Sequence, residues 1–114
     1  MKALVKDLER FIDELNPNIK GAVRFFWNHG YVTTDSGDGT NYEAGMEGAL
    51  PYDHVAIQLS PSGDFINRVD YLQVLLDQYG CTEVVVEGTF FPREGICIAL
   101  VSDPEKTGQL RKLQ

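Results

Sequence analysis

Residues 35–53 form a long glycine-rich and acidic stretch that interrupts the regular patterns on either side of it. The stretch holds four glycines and five carboxylates and has no lysine or arginine. A loop of this length inside a small domain is uncommon, and such loops are usually functional or disordered. We call residues 35–53 the acidic loop, and we look for a binding site there first.

Two amphipathic helices are predicted before the acidic loop, because apolar residues recur at helical spacing. They are Leu4, Val5, Leu8, Phe11, Ile12 and Leu15 in the first helix and Ile19, Ala22, Val23, Phe26 and Trp27 in the second. Asn16-Pro17 separates the helices, with Asn16 as N-cap and Pro17 at the first position of the second helix. His29 lies in the last turn of this helix, and Gly30 can supply its left-handed cap.

Strand patterns are predicted at residues 31–34, before the acidic loop, and at residues 54–60 after it. A third helix follows, capped by Ser60 or Ser62 and closed by Gly80. Its apolar positions are Phe65, Ile66, Val69, Leu72, Leu75, Leu76 and Tyr79. Residues 82–91 and 95–102 are then predicted to form a hairpin around a short turn at residues 92–94.

The hairpin strands are expected to bury one face. We expect this inner face to carry Val84, Val86, Phe90, Ile96, Ile98 and Leu100. The opposite face is also apolar or small, and a helix or another subunit is expected to cover it; its residues are Ala56, Val85, Cys97, Ala99 and Val101.

The predicted element order is α-α-β-β-α-β-β. This order indicates a two-layer α+β domain with about four mostly antiparallel strands and three helices. A chain of 114 residues has the length of one domain. We place that domain at residues 1–104 and interpret residues 105–114 as a polar C-terminal tail. Cys81 and Cys97 are expected to be buried and reduced, because the hairpin holds them farther apart than the ~7 Å that a disulfide permits.

The charge balance narrows the classes of partner. A net charge of −7 and an isoelectric point near 4.6 argue against nonspecific nucleic-acid binding, which needs lysine and arginine. No apolar run is long enough to span a bilayer, so no membrane partner is expected. Asp7 comes too early for the apolar part of a signal peptide, so we expect a cytoplasmic protein.

The acidic loop and its flanks offer polar side chains, glycine amides and two tyrosines that could bind a small polar ligand. The candidate ligand-binding residues are Thr34, Asp35, Ser36, Asp38, Thr40, Asn41, Tyr42, Tyr52 and His54. The alternative is that the polar residues simply make turns. No specific catalytic motif occurs in the chain, so we predict no catalytic residues and no enzyme class.

A divalent metal is the one cofactor that the residues suggest, because carboxylates are good ligands for Ca²⁺ or Mg²⁺. The acids available are Asp35, Asp38, Glu43, Glu47 and Asp53. Their spacing does not follow the EF-hand rule. If a metal binds, we expect Asp35, Asp38, Glu43 and His54 to hold it, and Asp35, Asp53 and His54 could form an acid–base group.

Three short segments in and around the acidic loop stand out: Gly-Tyr-Val-Thr-Thr-Asp-Ser-Gly-Asp-Gly at residues 30–39, Gly-Met-Glu at 45–47 and Leu-Pro-Tyr-Asp-His-Val at 50–55. Together they resemble small uncharacterised proteins encoded by bacteriophages and some bacteria. The resemblance covers about residues 24–60 and carries no assigned chemistry. It implies an accessory or counter-defence protein that binds either a host protein or a nucleotide signal.

Taken together, these observations favour a non-enzymatic binding module that is also a homo-oligomer. We expect it to bind a small nucleotide-like ligand, or to mask a host protein, through the acidic loop. One alternative is a divalent-metal-dependent phosphoester hydrolase. Another is a structural homo-oligomer whose apolar second sheet face forms the interface.

Overall fold

The computed structural model describes residues 10–40, 50–60 and 64–114. Helix α1 is described over residues 10–13, and a 3₁₀ turn, Leu110–Lys112, follows the last strand. The elements between them are α2 (Pro17–Asn28), β1 (Val32–Gly37), β2 (His54–Leu59), α3 (Phe65–Gln78), β3 (Val85–Phe91) and β4 (Ile96–Ser102). This order confirms the predicted α+β fold.

Helix α2 begins and ends as its sequence predicts. Pro17 is its first residue and Asn16 its N-cap, although the Asn16 side chain makes no capping hydrogen bond. His29 caps the other end, and Gly30 adopts a φ of +85°. The buried face of α2 consists of Ile19, Ala22, Val23, Phe25 and Phe26.

The four strands form one antiparallel sheet in the order β1-β2-β4-β3. Strand β1 is longer than predicted, because it continues to Gly37 instead of ending at Thr34. The pairing of β1 with β2 shifts register between Thr33 and Asp35. Asp35 is therefore a strand residue paired with Ala56, and the connection between β1 and β2 starts only at Asp38.

The predicted division of β4 between the two sheet faces was wrong. Val86 pairs with Val101 and Ile57 pairs with Ala99, so these four side chains share a face. On β4 it is Cys97, Ala99 and Val101 that are buried, whereas Ile96, Ile98 and Leu100 are only partly covered. Because side chains alternate along a strand, a prediction that places β4 one residue out of register assigns every β4 side chain to the wrong face.

Helix α3 packs closely on β3 and contributes to the same core. A Cβ atom at Gly88 would lie 2.9 Å from the Phe65 ring and 2.9 Å from the Val69 side chain, so a glycine permits the close approach. The buried residues of α3 are Leu72, Leu75 and Leu76. Ile66 and Tyr79, which were predicted to join them, are 71% and 55% exposed.

Several helix predictions lie outside the described residues. They are the Ser62 cap and the first-helix positions Leu4, Val5 and Leu8. The N-cap position of α3 in the structure is Asp64.

The C-terminal residues are packed into the domain and do not form a tail outside it. Leu110 is fully buried and Leu113 is 3% exposed, and both belong to the hydrophobic core. The backbone carbonyl of Leu113 passes so close to Gly21 that a Cβ atom there would overlap it. Two leucines three residues apart share one face of a 3₁₀ turn, and this face covers α2. The domain therefore extends past residue 104.

Both cysteines are free and buried, as predicted. Burial, and next the negative charge of Asp103, raise the pKa of the Cys81 thiol. None of the helices in the described ranges combines the length and the apolar character that crossing a bilayer requires.

Candidate functional site

A cavity of about 380 Å³ lies at the end of the sheet where β1 and β4 end and β2 begins. Residues 38–40 and 51–53, from the two ends of the acidic loop, form one wall. The C-terminal segment forms the other wall with Asp103, residues 106–108 and Arg111. The cavity therefore joins parts of the chain that are far apart in the sequence.

Gly39 brings the two ends of the acidic loop together. Its φ is +80°, a left-handed conformation that side chains disfavour. A Cβ atom at this position would lie 2.5 Å from the Pro51 carbonyl carbon and 2.8 Å from the Tyr52 nitrogen. Glycine is needed here both for the backbone conformation and for the close contact.

Asp38 is a nearly buried carboxylate that protein donors surround. Its Oδ2 accepts a hydrogen bond from Asn18 Nδ2 at 3.1 Å, and its Oδ1 accepts one from the Thr40 backbone N–H at 2.9 Å. Burial acts to raise the pKa of Asp38. The hydrogen bonds from Thr40 and Asn18 and the charge of Arg111 outweigh burial, so the pKa is lowered. Asp38 is therefore ionised at neutral pH.

Asp103 organises the C-terminal wall. Its side chain accepts hydrogen bonds from the Thr107 backbone N–H at 3.0 Å, the Thr107 hydroxyl at 2.9 Å and the Gly108 N–H at 2.9 Å. Its own backbone N–H donates to the Asp53 carbonyl at 3.0 Å. The turn that results holds Lys106 at a φ of +54° and Gly108 at +78°. A residue only 1% exposed thus sets the shape of the cavity wall.

Asp53 and Arg111 connect the two walls through a bidentate ion pair. Arg111 Nε donates to Asp53 Oδ2 at 2.8 Å, and Arg111 Nη2 donates to Asp53 Oδ1 at 3.2 Å. The Asp53 side chain is 5% exposed and that of Arg111 is 46% exposed. The hydrogen bond with Asp53 raises the pKa of Arg111, which therefore remains a cation.

Among the described residues, the cavity walls carry three carboxylates and two cations. The carboxylates of Asp38, Asp53 and Asp103 all accept hydrogen bonds from protein donors. In the part of the chain that the structure describes, the exposed Lys106 ammonium has no ion-pair partner, and Arg111 Nη1 is not used by Asp53. The groups that remain for a ligand are therefore mainly cationic donors and the exposed Thr40.

The predicted ligand-binding residues separate into two groups. Asp38, Thr40 and Tyr52 line the cavity. Thr34, Asp35 and Ser36 lie on β1 and do not line it. The Thr34 hydroxyl is 3.5 Å from the Ala56 carbonyl, and Asp35 is exposed. The Ser36 hydroxyl is buried and has no hydrogen-bond partner among the described residues.

The described members of the predicted metal site, Asp35, Asp38 and His54, do not form a metal-binding group. His54 is buried at the start of β2, where its Nδ1 lies 3.0 Å from the Tyr52 carbonyl. Among residues 10–40, 50–60 and 64–114, no group of three or more His, Cys, Asp or Glu side chains could hold a metal ion. The remaining predictions fall on Asn41, Tyr42, Glu43 and Glu47, which lie outside the described residues.

Lys106, Thr107, Gly108 and Arg111 are cavity residues that the sequence did not indicate, because they were assigned to a polar tail. The available local signal is the sequence Asp-Pro-Glu-Lys-Thr-Gly at residues 103–108. Asp, Pro, Thr and Gly so close together indicate a tight turn with side chain–backbone hydrogen bonds. Such a signal predicts the turn, but not what the turn faces.

The comparisons with known proteins identify no relative. No protein-family model matches the chain, and no curated protein or solved structure matches it. We therefore infer the function from the cavity and its chemistry.

Proposed function

We propose that this protein is a non-enzymatic binding protein that holds a small, anionic, nucleotide-like ligand in this cavity. One observation carries the proposal. The cavity presents two cations, Lys106 and Arg111, together with polar and aromatic residues from the ends of the acidic loop. Its three described carboxylates are already engaged by protein donors.

The size of the cavity suits a small ligand. Pockets for small molecules commonly measure about 300–1,000 Å³, and this cavity, at about 380 Å³, lies near the lower limit. That volume suits a mononucleotide better than a larger molecule.

The two walls would bind different parts of such a ligand. Lys106 and the Arg111 Nη1 that Asp53 does not use would bind phosphate oxygens, since charge-assisted hydrogen bonds to phosphate are strong. Asp53 holds the guanidinium in place, so little side-chain entropy is lost on binding. On the other wall, Thr40 would bind a sugar or base group, and Tyr52 would stack on a base.

A binding role suits the cavity carboxylates better than a catalytic one. A general base works best when its pKa lies near the operating pH and it can reach the substrate proton. The pKa of Asp38 is lowered instead of raised. Asp53 and Asp103 accept their hydrogen bonds from within the protein.

The resemblance to bacteriophage-encoded proteins extends the proposal to a biological role. A protein that binds a nucleotide without turning it over can lower the free concentration of a nucleotide signal. We propose sequestration of this kind as the counter-defence activity. Masking of a host protein is the alternative role.

Calorimetric titration with nucleoside monophosphates, the matching nucleosides and inorganic phosphate tests the proposed function. We expect a monophosphate to bind and the matching nucleoside to bind more weakly. Lys106→Asn should weaken binding, and asparagine tolerates the positive φ at this position. Lys112→Asn is the matched control, because Lys112 is exposed on the same segment but does not line the cavity.

Two results would overturn the proposed function. One is that none of the monophosphates binds. The other is that Lys106→Asn and Lys112→Asn reduce binding equally, which would show that the charges act through the net charge of the protein and not through the cavity.

A further inference from the structure

Strand β3 forms an edge of the sheet, and its outer side is only partly paired. The sheet order places β4 on one side of β3 and, in the described part of the chain, no strand on the other. The Val84 carbonyl and the Val86 N–H both bond to Gln73 of α3, so these two residues direct their peptide groups away from β4. Because backbone groups alternate in direction along a strand, Gly88 and Phe90 also direct theirs outward.

Gln73 satisfies the first half of this edge. Its Nε2 donates to the Val84 carbonyl at 3.0 Å, and its Oε1 accepts from the Val86 N–H at 3.3 Å. Within the described ranges, the outward groups of Gly88 and Phe90 have no hydrogen-bond partner. At Gly88 and Phe90 the open part of the edge therefore consists of two N–H groups and two carbonyls, and the Val86 carbonyl beside them also points outward. An exposed edge of this kind is a template for pairing with another strand.

A second copy of the same edge fits these four groups. In an antiparallel pairing centred on Thr89, Gly88 of each copy lies opposite Phe90 of the other, and Thr89 lies opposite Thr89. The two copies then satisfy the outward groups of Gly88 and Phe90 with four hydrogen bonds, and Gln73 keeps its own bonds. This self-complementarity is what a two-fold symmetric interface requires.

The side chains suit the same pairing. Phe90 is 52% exposed, and it would lie beside Gly88 of the second copy, where Phe65 and Val69 approach the strand. A paired Thr–Thr contact is favourable in antiparallel sheets. Glu87 would lie opposite Phe91. The two Glu87 carboxylates would then be about 13 Å apart along the strands, beyond the ~8 Å screening length at physiological ionic strength.

We propose that this protein forms a homodimer through the outer edge of β3, with the strands paired antiparallel around Thr89. The two sheets then form one continuous eight-stranded sheet. The interface contains no residue of the cavity, so each copy keeps its own binding site. The proposed function and the dimer can therefore fail independently.

Sedimentation equilibrium from dilute to concentrated protein measures the association. We expect a monomer–dimer equilibrium for the natural chain. Phe90→Lys should raise the dissociation constant roughly tenfold or more, because it replaces a buried aromatic contact with a charge. Val32→Lys is the matched control on the opposite edge strand, where Val32 is 47% exposed, and it should leave the dissociation constant unchanged.

A cysteine cross-link tests the register. Thr89→Cys should give a disulfide-linked dimer under mild oxidation, since only a residue on the two-fold axis meets its own copy at disulfide distance. Glu87→Cys, two residues away on the same face, should not. The native Cys81 and Cys97 are buried and should not interfere.

A natural chain that stays monomeric at the highest concentration would overturn the dimer. So would a dimer that forms equally well with Phe90→Lys. A Glu87→Cys chain that cross-links while Thr89→Cys does not would overturn the register.

Discussion

Arg111 donates two hydrogen bonds to Asp53 across a separation of 58 residues in the sequence. The pair joins the C-terminal segment to the start of β2, and it lies in the wall of the cavity. The Asp53 carboxylate is almost fully buried, whereas the Arg111 guanidinium is partly in water. Loss of the arginine therefore leaves a buried negative charge without its partner.

Arg111→Gln should lower the free energy of unfolding by about 1–3 kcal/mol. The effect should be below the ~3–5 kcal/mol typical of breaking a fully buried pair, because solvent screens the exposed guanidinium. Urea unfolding measures the change. Asp53→Asn should lower the free energy of unfolding less in the Arg111→Gln background than in the natural chain. Additive losses in this double-mutant cycle would contradict a direct interaction.

Gly39→Ala should destabilise the fold more than Gly95→Ala does. Both glycines have positive φ, +80° and +65°. A Cβ atom at Gly39 would also overlap the Pro51–Tyr52 backbone, whereas a Cβ atom at Gly95 would have open space around it among the described residues. We expect a loss of about 1 kcal/mol at Gly95 from the backbone conformation alone and roughly 2–3 kcal/mol at Gly39. Thermal or urea unfolding of the two variants measures both losses of stability. Equal losses would show that the two ends of the acidic loop can separate without lowering the free energy of unfolding.

Asp103→Asn should destabilise the C-terminal segment by about 1–3 kcal/mol, because one amide oxygen cannot replace two carboxylate oxygens as acceptors. Asp103 Oδ1 accepts from Thr107 and Oδ2 accepts from Gly108, so at least one of these bonds is lost. Hydrogen exchange of the Thr107 and Gly108 amides should speed up. Glu105→Gln is the control, since it removes the same charge from an exposed position in the same segment. Unchanged exchange in Asp103→Asn would argue against this role.

Asp38 should make stability depend on pH in the acidic range. Its pKa in the folded protein lies below the ordinary value of 3.8, so folding favours the ionised carboxylate. The stability that the carboxylate contributes is present above pH ~4 and is lost as the pH falls through the lowered pKa. The difference in unfolding free energy between the natural chain and Asp38→Asn should therefore have its full size above about pH 4 and shrink as the pH falls further. Asp13→Asn, at an exposed position on α1, corrects for the change in net charge. A difference that stays constant with pH would contradict the lowered pKa.

Local patterns in the sequence were sufficient for most of the fold. The apolar stripe of α2, its Asn16-Pro17 start and its Gly30 end all depend on neighbours within a few residues. The alternation of Val55, Ile57 and Leu59 likewise predicted a half-buried strand. Such features are determined by backbone geometry and local spacing, so one stretch of sequence is enough to predict them.

The cavity was only half predictable. Asp38, Thr40 and Tyr52 were expected in a site because they lie in a glycine-rich polar loop. The cations that face them come from a segment that looks like a polar tail. Nothing near Arg111 in the sequence indicates that it binds Asp53, since that contact depends on how Leu110 packs against α2.

The sequence by itself determined the order of the helices and strands, their approximate ends and the presence of a polar glycine-rich connection. The tertiary structure alone decided which face of β4 is buried, that β1 continues through Asp35, and that the C-terminal segment completes the cavity. The physical reason is the range of the interactions. Periodicity and capping act over a single turn or strand. Strand register, and the ion pair between the two cavity walls, depend on the packing of the whole domain.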